Sequence, residues 1–322
     1  MISVLDQLKK FTTVVADTGD FDKISEFKPQ DSTTNPTLIL LASKIEKYKK
    51  LILDAIDYAK KNAQNESDIL ELAMEKVAVN FGLEILKIIP GRVSTEIDAR
   101  MSFDTEATIK KAKKLIKLYE EAGIKKERIL LKIATTWEGI NAAEQLEKEG
   151  IHTNLTLLFN IGQAIRCAEA GVTLISPFVG RIRDWYYKKE QRTTEFEPNQ
   201  DPGVRSVTDI FNYFKKFGYS TEIMGASFRN IGEIIQLAGC DLLTISPGLL
   251  AELKNNFDTI EKKLDIEKTK QMDIKKVEMN EKTFREMLEK DQMATEKLEE
   301  GIRVFSQNTV DLENMIKELM KN

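Results

Sequence analysis

Histidine is almost missing: His152 is the only one in 322 residues. A single histidine excludes a multi-histidine metal site and, away from position 152, the usual histidine-based triads. His152 itself stands at the start of a short apolar run and reads as structural. Cysteine is nearly as scarce. Cys167 and Cys240 sit far apart in the apolar contexts QAIRCAEAG and QLAGCDLL, without a CxxC pair, and read as core thiols. Neither GxxxxGK[ST] nor GxGxxG occurs, which removes two nucleotide-binding fingerprints. No apolar run approaches the ~20 residues that span a bilayer. The N-terminal MISVLDQLKKF carries Asp6, lacks the long apolar centre of a signal peptide and reads as an amphipathic helix. The cytoplasm is the expected location. A net charge of -4 gives no general attraction to nucleic acid or to anionic membrane. Chemistry without histidine, metal or nucleotide falls to lysines, carboxylates and hydroxyls.

What is present is ordinary globular material, 42% hydrophobic and 31% charged, and long enough for one large domain with a substantial core. Short β-rich runs at 12–17, 31–35, 92–98, 128–134, 152–156, 172–176, 221–227 and 241–246 alternate with helical patterns, among them 105–122, 137–149, 161–170 and 230–238. Gly123, Gly150, Gly171 and Gly239 lie just past four of these patterns and suit helix-ending positions. Eight alternations predict an α/β fold, a (β/α)8 barrel, with an open doubly wound sheet as the rival. Extra helices are expected over 38–88 and, as one or two helices wrapping the barrel, over 282–320. Residues 188–203, KKEQRTTEFEPNQDPG, read as a polar excursion before a helix at 204–217. No repeat or domain boundary is evident, so the expectation is a single domain, 1–322, with 258–322 a helical C-terminal extension packed on the barrel.

The stretch RILLKIATT, residues 128–136, places one lysine, Lys132, inside an apolar run that reads as a buried strand. Desolvation disfavours a buried ammonium, and the free amine is a nucleophile able to form a Schiff base with a carbonyl. Taken alone, the stretch also fits a lysine snorkelling to solvent from a strand end. The other strands shift the balance. Side chains alternate along a strand, and polar residues recur in phase near the C-terminal ends of the runs, where barrel active sites lie. They are Asp17, Thr33 and Asn35, Ser94 and Glu96, Asn154 and Thr156, Ser176 followed by Phe178, and Ser227. Asp17 and Glu96 converging on Lys132 would supply the proton transfers that Schiff-base chemistry requires; each alone also fits a strand cap or a surface ion pair. Arg181 in SPFVGRIRD and Arg229 in GASFRN follow strand ends beside Gly and Ser, a natural setting for phosphate. Arg183, in the first of these stretches, reads as an ordinary surface arginine.

DSTTNPTLI at 31–39, ILLKIATTWEGI at 129–140 and SPFVGRI at 176–182 resemble the motifs of the transaldolase family, in that family's order, and the resemblance extends over the whole chain. It points to the longer transaldolases. It implies a barrel like those of class I aldolases with permuted strand order, usually a homodimer, and no cofactor or metal. It also implies a transferase that moves dihydroxyacetone from sedoheptulose 7-phosphate to glyceraldehyde 3-phosphate. The products are erythrose 4-phosphate and fructose 6-phosphate, in the non-oxidative pentose phosphate pathway. Lys132 resembles the Schiff-base lysine, Asp17 the acid/base group of carbon–carbon cleavage, and Glu96 with Thr156 the pair that holds a catalytic water. Thr33, Asn35, Asn154, Ser176 and Phe178 resemble pocket residues; Arg181, Ser227 and Arg229 match the phosphate end. A Schiff-base aldolase that releases free dihydroxyacetone is the near rival, and a silent phosphosugar-binding barrel the distant one.

Overall fold

A computed structural model describes residues 2–321; Met1 and Asn322, which the expected domain limits include, lie outside the described residues. Eight parallel strands close into a barrel in sequence order: β1 (Thr13–Asp17), β2 (Asp31–Thr33), β3 (Val93–Glu96), β4 (Ile129–Ala134), β5 (Thr153–Leu158), β6 (Leu174–Pro177), β7 (Glu222–Gly225) and β8 (Leu242–Ile245). Closure is direct. Thr13 to Ala16 pair in register with Leu242 to Ile245, which excludes the open sheet. All eight β-rich runs become strands. Parallel strands are covered on both faces, which is why β4 is buried at all six positions.

The helices follow the sequence pattern, and their caps explain their starts. Asp104, Thr136, Asn160 and Asn230 each accept a backbone N–H of the first turn with their side chains. The four helix-ending glycines all have positive φ. The 38–88 segment forms helices Pro36–Ser43, Lys49–Asn62 and Ile69–Leu86. The polar excursion ends at Asp201, which caps helix Pro202–Phe217. Cys167 and Cys240 are buried free thiols, and burial pushes Cys240 up to about 12.

The last two helices, Glu281–Glu289 and Gln292–Met320, do more than wrap the outside. The long one packs on helix Pro36–Ser43, the turn Ala99–Met101, β5 and helix Gly180–Lys189. Three of these contacts follow the C-terminal ends of β2, β3 and β6, so the helix lies across the C-terminal face of the barrel. Its Met293, Ala294, Leu298 and Phe305 share an apolar cluster with Leu157, Phe159, Phe178 and Ile182. Gly301 permits the approach, since a Cβ there would meet Leu157 Cδ2 at 2.6 Å. Leu157 has φ 54, where the β5–β6 register shifts. Among the described residues no helix is long and apolar enough to cross a membrane.

Candidate active site

The inward phase of the strands changes character along its length. Val15, Leu130, Leu174, Met224 and Leu242 form an apolar plug inside the barrel. Two residues further along those strands come Asp17, Lys132, Ser176, Ala226 and Thr244. Strand periodicity alone therefore delivers a polar floor above an apolar plug.

Lys132 is 4% exposed. Its Nζ donates to the carbonyl of Thr34 at 3.2 Å and lies 3.2 Å from Glu96 Oε2. Register explains the pairing, because Glu96, Lys132 and Asn154 are Cα partners across β3, β4 and β5. Asp17 Oδ1 accepts from Thr33 Oγ1 at 2.8 Å, and the Thr33 and Thr244 hydroxyls are 2.6 Å apart. Asn154 donates to Ser94 Oγ at 3.1 Å and accepts from Ser176 Oγ at 2.8 Å. The Asn35 side-chain Oδ1 caps helix Pro36–Ser43 by accepting from Leu38 N–H. Thr156 Oγ1 is buried without a hydrogen-bond partner among the described residues. Burial raises the proton affinity of both Asp17 and Glu96, against the opposing pull of the Lys132 charge.

A cavity of about 180 Å³ opens onto this floor. Asp17, Thr33, Asn35, Lys132, Ser176, Phe178, Arg181, Ser227 and Arg229 line it. Ser94, Glu96, Asn154 and Thr156, also singled out from the sequence, are not in its wall. Asn154 and Thr156 have no exposed surface, and Glu96 reaches Lys132 from the side.

The far end of the cavity is basic. Gly180 N–H donates to the Ser227 carbonyl at 2.7 Å, and a Cβ at Gly180 would meet that oxygen at 2.3 Å. This close approach brings helix Gly180–Lys189, with Arg181, against the loop that carries Ser227 and Arg229. Ser227 has φ 63, a left-handed backbone for a serine. Arg229 pairs with Asp184 through Nε at 2.9 Å and Nη2 at 2.8 Å. Arg181 instead lies over aromatic rings, 4.9 Å from the Phe178 centroid and 5.4 Å from that of Phe305. Burial and the Arg229 charge lower its proton affinity.

Arg183 corrects the expectation of an ordinary surface arginine. It is 9% exposed and contacts Asp184, Glu195, Asp201 and Glu233. Helical spacing turns it away from Arg181 and into a bracket beneath the basic end. Thr244 was also missed, although Leu242 and Thr244 repeat the same inward alternation on β8. Asp184 and Phe305 had no local signal in the sequence.

A larger cavity, about 420 Å³, lies behind Glu96 and shares with the first only Asn35. Its bases, Lys111 and Arg100, are already paired with Glu71, Glu75, Asp98 and Glu313. The smaller cavity is the one that joins Lys132 to Arg181 and Arg229.

A family model described as Transaldolase/Fructose-6-phosphate aldolase matches residues 14–316. A protein named probable transaldolase from Drosophila melanogaster is 59% identical over 321 residues, covering 99% of this chain and 97% of its own. A transaldolase from Thermosynechococcus vestitus is 57% identical over 319 residues, 98% of this chain and 81% of its own. A transaldolase from Homo sapiens is 55% identical over 323 residues, with shares of 100% and 96%.

Proposed function

The chain belongs to the transaldolase and fructose-6-phosphate aldolase family, and from that premise we propose how its site works. The enzyme is of the transaldolase type, a transferase of aldehyde or ketone groups. The proposed reaction passes a dihydroxyacetone unit from sedoheptulose 7-phosphate to glyceraldehyde 3-phosphate, giving erythrose 4-phosphate and fructose 6-phosphate. It serves the non-oxidative pentose phosphate pathway.

One observation carries the mechanism: a buried lysine, 3.2 Å from a buried carboxylate beside it, faces a cavity whose other end holds two arginines. The Lys132 amine attacks the ketose carbonyl, and loss of water leaves an iminium. Asp17 takes the C4 hydroxyl proton. The C3–C4 bond then breaks, its electron pair flows into the iminium to form an enamine, and the aldose phosphate departs. Burial suits Asp17 to this step by raising its proton affinity. The enamine adds to the acceptor aldehyde as Asp17 returns the proton. Water then adds to the new iminium and releases the product ketose. The unpartnered Thr156 hydroxyl and the Glu96 carboxylate beside Lys132 support their assignment to that water. Thr33, Asn35, Asn154, Ser176 and Phe178 orient the dihydroxyacetone unit, while Arg181, Ser227 and Arg229 take the phosphate.

The same reading takes the chain as one domain with 258–322 as its extension, in the cytoplasm, working as a homodimer. Light scattering that returned the monomer mass at micromolar concentration would remove the dimer.

The deciding experiment is borohydride reduction with fructose 6-phosphate, followed by peptide mass spectrometry. A three-carbon adduct is expected on the Lys132 peptide, discharged by glyceraldehyde 3-phosphate when reductant is withheld. Lys132→Ala should abolish both trapping and turnover. Normal turnover in that variant would overturn the mechanism. An adduct that decays equally fast with and without acceptor would favour an aldolase.

A further inference from the structure

We propose that Phe305 is a positioning residue for the phosphate end, holding the Arg181 guanidinium face-on so that the C-terminal helix becomes part of the substrate site. The inference rests on Arg181 binding phosphate.

The three arginines of this region are restrained in two different ways. Arg229 is bound edge-on by Asp184, and Arg183 by Asp184 and Glu195. The Asp184 carboxylate takes the Nε and Nη2 donors of Arg229, so only its Nη1 side, which reaches Ser227, is left for a phosphate. Arg181 has no hydrogen-bonded or ion-paired carboxylate among the described residues. Its restraint comes from the Phe178 and Phe305 rings, at 4.9 and 5.4 Å. A guanidinium against ring faces is fixed in plane by cation–π attraction while its edge donors stay free for a bidentate anion.

The two rings are themselves fixed. Phe178 packs on Phe159 at 5.4 Å with the planes 76° apart. Phe305 is 1% exposed. Its helix is seated by Gly301 on Leu157, by Asn308 donating to Thr37 Oγ1, and by Glu313 pairing with Arg100. The fasteners reach the barrel on both sides of Phe305, so its ring cannot withdraw without dislodging the helix. Phe178 follows β6 and would meet substrate directly. Phe305 touches the arginine from behind and acts only through it.

The test compares Phe305→Leu, which keeps apolar volume but has no ring face, with Phe305→Tyr, which keeps the face. Arg181→Ala is the reference. The readout is the rate of borohydride trapping with fructose 6-phosphate divided by the rate with unphosphorylated fructose, without acceptor. Thermal unfolding confirms that each variant folds. Phe305→Leu should lower this ratio about tenfold, in line with a desolvated cation–π contact. Phe305→Tyr should stay near wild type, and Phe305→Leu should add little on top of Arg181→Ala. If Arg181→Ala lowers the ratio while Phe305→Leu leaves it unchanged, the positioning role is overturned and the phosphate assignment stands. If Arg181→Ala leaves the ratio unchanged, the premise and the inference fall together.

Discussion

At the scale of single residues, parity along a strand decides which side chains can react. A one-residue slip in β4 would exchange Lys132 for Leu131 or Ile133 and turn the amine into the helical layer. The carboxylates near the site obey burial. Glu233 is 1% exposed and accepts from the backbone of Arg229 at 2.7 Å, with Asp201 and Arg183 beside it. Burial raises its pKa from 4.5 to about 7. Ionisation is therefore easier in the unfolded chain. The stability contribution is full below pH 4.5 and declines as the pH rises to about 7, by roughly 3 kcal/mol at most. Glu233→Gln keeps an acceptor for Arg229 and should flatten that part of the pH–stability curve. The raised affinity of Asp201 would leave a smaller slope. Melting temperatures of both proteins between pH 4 and 8 check this, and parallel curves would sink it.

Elements meet through a few close approaches, and these set the geometry of the basic end. Helix Gly180–Lys189 docks where its first residue has no side chain. A Cβ there would strike the Ser227 carbonyl oxygen, which is backbone already fixed by a hydrogen bond from Gly180 N–H. Gly180→Ala gains at most ~1 kcal/mol of helix propensity, and less at a first-turn position. Overpacking costs about 1–3 kcal/mol, so the clash wins. The variant should unfold at lower urea and bind inorganic phosphate at least severalfold more weakly, since Arg181 and Arg229 are carried by the two parts pushed apart. An unchanged urea midpoint would show that the loop yields at no cost.

For the whole molecule, closure matters more than any one strand, because most are only three to five residues long. At the end opposite the site, Arg92 spans the barrel, pairing with Asp31 of β2 at 3.0 Å and Glu222 of β7 at 2.7 Å. Asp31 is 5% exposed, so losing its partner strands a mostly buried charge, although the Arg92 backbone N–H still reaches it. Arg92→Met should cost about 2 kcal/mol, below the 3–5 of a fully buried pair. Urea unfolding should show a lower midpoint with an unchanged slope. Loss of trapping by that variant, from the far end of the barrel, would mean that the floor was deformed as well.

Much of this was legible before any coordinates. Alternating runs specified eight strands, and four glycines marked helix ends. The phase of polar residues near strand ends pointed to Lys132, Asp17 and Glu96. These signals are local: periods of two and 3.6, and backbone preferences of single residues. Thr244 was within reach of the same rule. What lay out of reach depends on approaches between segments far apart in the chain. Arg183 turned inward because carboxylates from three later segments surround it, and Asp184 became a counter-ion only where the β7 loop brings Arg229 to it. Phe305 reached Arg181 because the final helix crosses the mouth of the barrel. The sequence by itself determined the barrel and the chemical character of its floor. Only the tertiary structure decided which charges neutralise one another and which arginine keeps its donors free, because pairing of that kind is a property of distance in space, and no period in the chain encodes it.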